Sequence, residues 1–208
     1  WQPTVDGKLA PGKGYFIKYG DKVDTRFSGS QILEINDKLN PVRLYTDNGG
    51  WNAIGALSVR HNIIDQTGNR GLQLIEIDQA AIPDVEYTLK SGVWAYRPNS
   101  GYEEVSTLYP GMGYWIKVNH DAYLKLKAYN KTSVVDVNPP VYNKTAGFDK
   151  IEISDNAQHS TALYATTKYV NVEDYNLPPT PPVDLFDVRF DGEKYVTNAD
   201  ESEVYLQG

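Results

Sequence analysis

The chain has 208 residues, a net charge of −7 and no cysteine. That charge, with no Lys/Arg cluster, excludes a basic nucleic-acid surface, and the missing thiols exclude disulfide frameworks, thiolate metal sites and cysteine nucleophiles. Hydrophobic residues at 40% and charged residues at 23% describe a chain able to bury a core, and no apolar run reaches the ~18 residues of a membrane span.

In chain order, strand patterns run through Tyr15-Phe-Ile-Lys-Tyr19, Pro41-Val-Arg-Leu-Tyr45, Leu72-Gln-Leu-Ile-Glu-Ile77, Tyr114-Trp-Ile-Lys-Val118 and Tyr123-Leu-Lys-Leu-Lys127. The last alternates apolar and polar residues, the period-2 signature of a half-buried strand. Turn signals separate them at Asp6-Gly7, Asp47-Asn-Gly-Gly50, Pro98-Asn-Ser-Gly101 and Asn119-His-Asp121. Short helical turns are expected at residues 61–66 and 79–83. Tyrosine outnumbers phenylalanine 16 to 5, which suits strands with one face in water and also suits sugar or protein contact surfaces.

An internal repeat organises this region. Leu9-Ala-Pro-Gly-Lys-Gly-Tyr-Phe-Ile-Lys18 and Leu108-Tyr-Pro-Gly-Met-Gly-Tyr-Trp-Ile-Lys117 are identical at seven of ten positions and lie 99 residues apart, and Trp1-Gln-Pro3 aligns with Tyr96-Arg-Pro98. Such a repeat means one structural unit used twice. Pro-Gly predicts a tight turn, with φ fixed by proline at the first corner and positive at the glycine. The second glycine, Gly14 or Gly113, predicts a close backbone approach or a bulge. No phosphate loop is indicated, because no helix or Lys-Ser/Thr follows.

The second unit reads whole from Gly50-Trp-Asn-Ala-Ile-Gly55 to about residue 127. The first has only its back half, so its counterpart to Gly50-Trp51-Asn52 is expected upstream of Trp1. A sheet edge opened in this way is expected to be covered by another chain, an upstream segment or the second unit. Asn138-Pro-Pro140 reads as a linker. Beyond it, strand patterns recur at Lys150-Ile-Glu-Ile-Ser154, Thr161-Ala-Leu-Tyr164, Tyr169-Val-Asn-Val172, Phe186-Asp-Val-Arg-Phe190 and Glu203-Val-Tyr-Leu206, and Leu177-Pro-Pro-Thr-Pro-Pro182 reads as polyproline II.

The expected fold is therefore mainly β, as tandem antiparallel β-sandwich-like modules. Residues 1–48 form the C-terminal part of a first repeat unit. Residues 49–137 form a second, either separate from the first or packed with it as one domain. Residues 141–208 form a C-terminal β domain.

Gly50-Trp-Asn-Ala-Ile-Gly-Ala-Leu-Ser58, with Gly101-Tyr102 and the Leu108 to Lys117 motif, resembles repeat modules of large secreted bacterial proteins. Tyr175-Asn-Leu-Pro-Pro-Thr-Pro-Pro182 followed by Phe186-Asp-Val-Arg-Phe190 resembles the stretch preceding the C-terminal sorting domain of type IX secretion (Por system) surface proteins. The resemblance implies export across the outer membrane and display or release outside the cell. The sorting domain itself would begin after Gly208. It lends no catalytic residues.

The chemistry-bearing residues carry little pattern. His61, His120 and His159 stand far apart without metal-ligand spacing and read as surface or turn residues. No Gly-x-Ser-x-Gly elbow marks a nucleophile, and Glu103-Glu104 point to opposite faces of a strand, so they cannot flank one glycosidic bond. No cofactor is expected, Ca²⁺ being the one considered. The oxygen clusters at Asp155-Asn156, from Asp187 to Asp191-Gly192 and from Asn198 to Glu201 lack EF-hand spacing and read as turns or solvated edges.

The aromatic set Trp1, Trp51, Trp94, Trp115, Tyr96, Tyr102 and Tyr109 remains. Trp51 and Trp115 are expected in the core, and Tyr102 and Tyr109 are expected to be exposed beside a turn. Tyr96, Tyr102 and Tyr109 are the candidate ligand or interface aromatics. The sequence thus points to a non-catalytic structural or adhesive region of a secreted cell-surface protein. Its expected partners are other protein chains, further segments of the same polypeptide, or glycans, with no nucleic acid and no membrane span. The alternative is a carbohydrate-binding accessory region of an exported degradative enzyme.

Overall fold

The computed structural model describes residues 9–15, 34–35, 38–58, 61–62, 72–76, 92–105, 107–127, 144–199 and 206–207. The readings for residues 1–8, for the strand beyond Tyr15, for 79–83, for Asn138-Pro-Pro140 and for residues 203–205 lie outside them. In chain order the strands are β1 (Glu34–Ile35), β2 (Arg43–Leu44), β3 (Trp51–Gly55), β4 (His61–Asn62), β5 (Leu72–Glu76), β6 (Val93–Arg97), β7 (Gly101–Val105), β8 (Thr107–Leu108) and β9 (Gly113–Lys117). They continue with β10 (Ala122–Lys127), β11 (Asp149–Ser154), β12 (Ser160–Thr166), β13 (Arg189–Phe190), β14 (Val196–Asn198) and β15 (Leu206–Gln207). Short 3-10 turns occur at Asn48–Gly50 and Val172–Tyr175. The protein is mainly β, with several antiparallel sheets.

Alternation builds the first core. In β9, Tyr114 and Ile116 are buried while Trp115 and Lys117 are half-buried, and in β10 Ala122, Leu124 and Leu126 all point inward. One antiparallel sheet runs β3-β9-β6-β7. In the other, β10 is central, with β5 on one edge and β1 and β2 in tandem along the opposite edge. Ile35, Leu44, Leu124 and Leu126 from this second sheet meet Ile54, Val93, Ala95, Tyr114 and Ile116 from the first in one hydrophobic cluster. The described residues of the first repeat segment therefore share a core with the second. They also cover its edges, because β1 and β2 pair with β10 and Lys13 bridges Ile54.

The C-terminal residues form a second cluster. β11 and β12 are an antiparallel hairpin, and β14 joins β12 in parallel. The parallel pair departs from the all-antiparallel expectation, and its long connection carries the proline-rich stretch back across the structure. Short β13 pairs with β15.

Three local expectations change. The helical turn expected at residues 61–66 begins instead with β4, held by pairing with β8. The strand expected at Tyr169-Val-Asn-Val172 is replaced by a 94% exposed Tyr169 and a 3-10 turn whose Glu173 N–H donates to the Asn171 side chain. Of Phe186-Asp-Val-Arg-Phe190, only Arg189–Phe190 is strand. Among the described residues no helix is long and apolar enough to cross a membrane.

Candidate functional site

The two copies of the repeated motif adopt the same turn. The N–H of Ala10 donates to the hydroxyl of Tyr15 at 2.9 Å, and the N–H of Tyr109 donates to that of Tyr114 at 2.7 Å. The Lys13 N–H donates to the Ala10 carbonyl, and the Met112 N–H to that of Tyr109, both at 3.3 Å. Gly12 and Gly111 take φ of 75° and 77°, the left-handed region that the second corner demands. The second glycines allow close backbone approach: a Cβ on Gly14 would stand 2.8 Å from the Ile54 carbonyl oxygen of β3, and one on Gly113 would stand 3.6 Å from Gly14 Cα of the other motif. Ile54 of β3 serves both motifs, paired with Tyr114 of one and bridged to Lys13 of the other.

The candidate site is the aromatic seam where the β6–β7 hairpin meets the C-terminal residues. Trp94 and Tyr102 are buried in one cluster with Leu163, Leu177, Phe190, Tyr195 and Val196, and Trp51, Tyr96 and Trp115 pack partly buried against it. Ring contacts are edge-on, the geometry favoured by aromatic quadrupoles. Trp94 meets Tyr195 with centroids 5.1 Å apart, and Tyr96 meets Tyr102 at 5.3 Å.

Two hydroxyls cross the seam. Tyr96 donates to the Phe186 carbonyl at 2.9 Å, and Tyr102 donates to the Pro179 carbonyl at 2.8 Å. Burial, with a further push from Asp187, raises the Tyr96 phenol to about 12. Burial also raises Tyr102, against a lowering pull from Arg189. Both therefore stay protonated, as donors, at neutral pH. A backbone bond, Ser160 N–H to Asn99 carbonyl at 2.9 Å, ties the β6–β7 turn to β12.

Behind the seam lies a buried ion pair. Arg189 is 2% exposed. Its Nε donates to Asp187 Oδ2 at 2.7 Å, and its Nη1 donates to the Pro178 carbonyl at 3.0 Å. Nη2 lies 2.7 Å from the same Asp187 oxygen, in ion-pair contact without hydrogen-bond alignment. The guanidinium thus joins the two halves of this stretch, Leu177 to Pro182 and Phe186 to Phe190. Those halves also receive the Tyr102 and Tyr96 hydroxyls.

The candidate residues separate accordingly. Tyr96 and Tyr102 come together at the seam. Tyr102 is 8% exposed rather than open beside its turn, because the proline-rich segment covers it. Tyr109 is 43% exposed on the second Pro-Gly turn. Trp51 and Trp115 are half-buried at the seam rather than in the first core. Sequence reasoning passed over Tyr195, Tyr164 and Tyr175, whose rings complete the cluster. It also passed over the Asp187–Arg189 pair, whose i, i+2 spacing on extended backbone was its available signal.

The oxygen clusters have local partners. Asp155 accepts the N–H groups of Ala157 and His159 and contacts His159 Nδ1 at 2.6 Å, closing the β11–β12 turn. His159 in turn packs against the Phe186 ring, with centroids 5.3 Å apart. Asp191 accepts the Gly192 N–H. Among the described residues no three His, Asp or Glu side chains gather as a metal site. Set against protein-family models, curated proteins and solved structures, the chain matches none.

Proposed function

We propose that this chain is a non-catalytic structural or adhesive β-module region of a secreted bacterial cell-surface protein. In this reading residues 1–48 are the C-terminal part of a first β repeat unit, packed with a second over residues 49–137, and residues 141–208 are the C-terminal β domain that precedes a sorting domain. The facing antiparallel sheets and the shared core support the modular part of the reading.

The observation that carries it is the use made of the aromatic set. The Tyr96 and Tyr102 hydroxyls are spent on carbonyls of the C-terminal segment, so these rings act as a mechanical joint rather than as an open sugar platform. A carbohydrate platform needs exposed rings with unspent polar neighbours. Tyr109, exposed on a turn held by Tyr114, is the residue that favours the second reading, a carbohydrate-binding accessory region.

Protease treatment of intact source cells, followed by mass spectrometry of the released peptides, tests surface display. Release of peptides from residues 144–199 without lysis is expected, and recovery only after lysis would overturn the reading. Glycan-array binding abolished by Tyr109→Ala would replace it with the carbohydrate-binding alternative.

A further inference from the structure

We infer that Leu9 and Tyr15 form a docking edge for the front half of another repeat unit of this kind, a segment resembling β3 and β4. The inference rests on the modular reading above only in taking the two motifs as copies of one unit.

The two copies share backbone geometry but not their surroundings. In the second, Leu108 is 0% and Tyr114 1% exposed, both within the first core. In the first, the equivalent Leu9 is 41% exposed and Tyr15 is half-buried, and neither belongs to that core.

The glycines show the reverse. Gly12 is buried, with Ile35 and Val42 side-chain atoms 2.7 Å from where a Cβ would stand, while Gly111 has nothing within 4 Å. Each motif therefore has two sides. The first copy has its glycine side covered and its Leu/Tyr side only partly covered, with Leu9 exposed and Tyr15 half-buried. The second copy has its Leu/Tyr side covered and its glycine side open.

The structure also shows what covers the Leu/Tyr side. Leu108 pairs with His61 of β4, and Tyr114 pairs with Ile54 of β3, both antiparallel. Leu57, between those strands, joins the same core. An equivalent strand pair from another unit would bring the same backbone ladder and an apolar side chain to Leu9 and Tyr15. This is strand addition, with main-chain bonds supplying affinity and the apolar pair supplying register.

A synthetic peptide spanning residues 50–66 is the probe. It should bind the intact chain saturably, with slowed amide exchange at residues 9–15. Leu9→Asp should weaken binding by about tenfold or more, whereas Leu39→Asp, at a 50% exposed leucine outside this edge, should leave it unchanged. No saturable binding, equal binding to Leu9→Asp, or faster exchange at residues 50–55 (displacement of the resident strand) would each overturn the inference. None of these outcomes bears on cell-surface release of peptides, so the two readings fail separately.

Discussion

The hydroxyl of Tyr102 reaches the carbonyl of Pro179 across 77 residues of sequence. Tyr102 belongs to the hairpin of the repeat unit, and Pro179 to the proline-rich segment beyond it. Proline has no N–H to offer a sheet, but its carbonyl is a full acceptor. A proline-rich strand can therefore be held by side-chain donors where a ladder cannot form. With Arg189 bonded to Pro178, the proline-rich segment is pinned at two carbonyls, and Tyr96 holds a third just beyond it at Phe186.

Tyr102→Phe removes one of these bonds while keeping the ring. It should destabilise the chain by about 1 kcal/mol, the usual net value of a hydrogen bond. Because the Tyr96 and Tyr102 rings touch, Tyr96→Phe and Tyr102→Phe together should depart from additivity. Urea unfolding followed by tryptophan fluorescence measures both effects, and strictly additive losses would show that the two bonds act independently.

Arg189→Met should cost more, about 3–5 kcal/mol, because it leaves the nearly buried Asp187 carboxylate without its partner. Removing both charges, as Asp187→Leu with Arg189→Met, should recover much of that loss, since neither charge then remains unpaired. Arg189→Lys should not substitute, because one ammonium cannot serve both Asp187 and the Pro178 carbonyl in the guanidinium's planar geometry. Comparing the unfolding midpoints of the three variants decides the matter.

Gly12→Ala and Gly111→Ala make a matched pair. Both glycines have positive φ, so both variants carry the left-handed penalty of about 1–2 kcal/mol. Only at Gly12 does the new methyl also meet Ile35 and Val42. Gly12→Ala should thus be the more destabilising, the excess reporting how tightly the first motif packs into the shared core. Equal losses would mean that Ile35 and Val42 yield without cost.

What the sequence made legible was what repeats or alternates. The period-2 pattern of Tyr123 to Lys127 matches β10, and the Pro-Gly turns of both motifs carry the positive φ that their glycines require. The exposure of Tyr102 was misjudged because its cover comes from far along the chain. Alternation tells which side chains share a face, but not what lies over that face. The acceptors at Pro179 and Phe186 are backbone carbonyls, which every residue has, so no residue type announces them. The parallel pairing of β12 with β14 was hidden for a related reason: a strand's pattern does not name its neighbour.

Two carboxyl groups should move stability with pH in opposite directions. Although Glu104 as a residue is exposed, partial loss of hydration holds its carboxyl above its ordinary 4.5, with Lys144 pulling back. The folded state then binds that proton more tightly than the unfolded state. Its stabilising contribution is full below the unfolded value and lost as pH rises through the folded one. Asp121 is held below its ordinary 3.8, first by the Thr46 N–H, then by the Thr46 hydroxyl and Arg43. Its contribution is present above the unfolded value and lost as pH falls through the folded one. Glu104→Gln should therefore raise the unfolding midpoint at neutral pH and lose that advantage below about pH 4. Asp121→Asn should lower the midpoint at neutral pH, and the deficit should close as the medium is acidified. Asp121 bonds Arg43 and Thr46 of the first repeat segment to the turn after β9. A pH-independent deficit in Asp121→Asn would show that this tie does not depend on the carboxylate's charge.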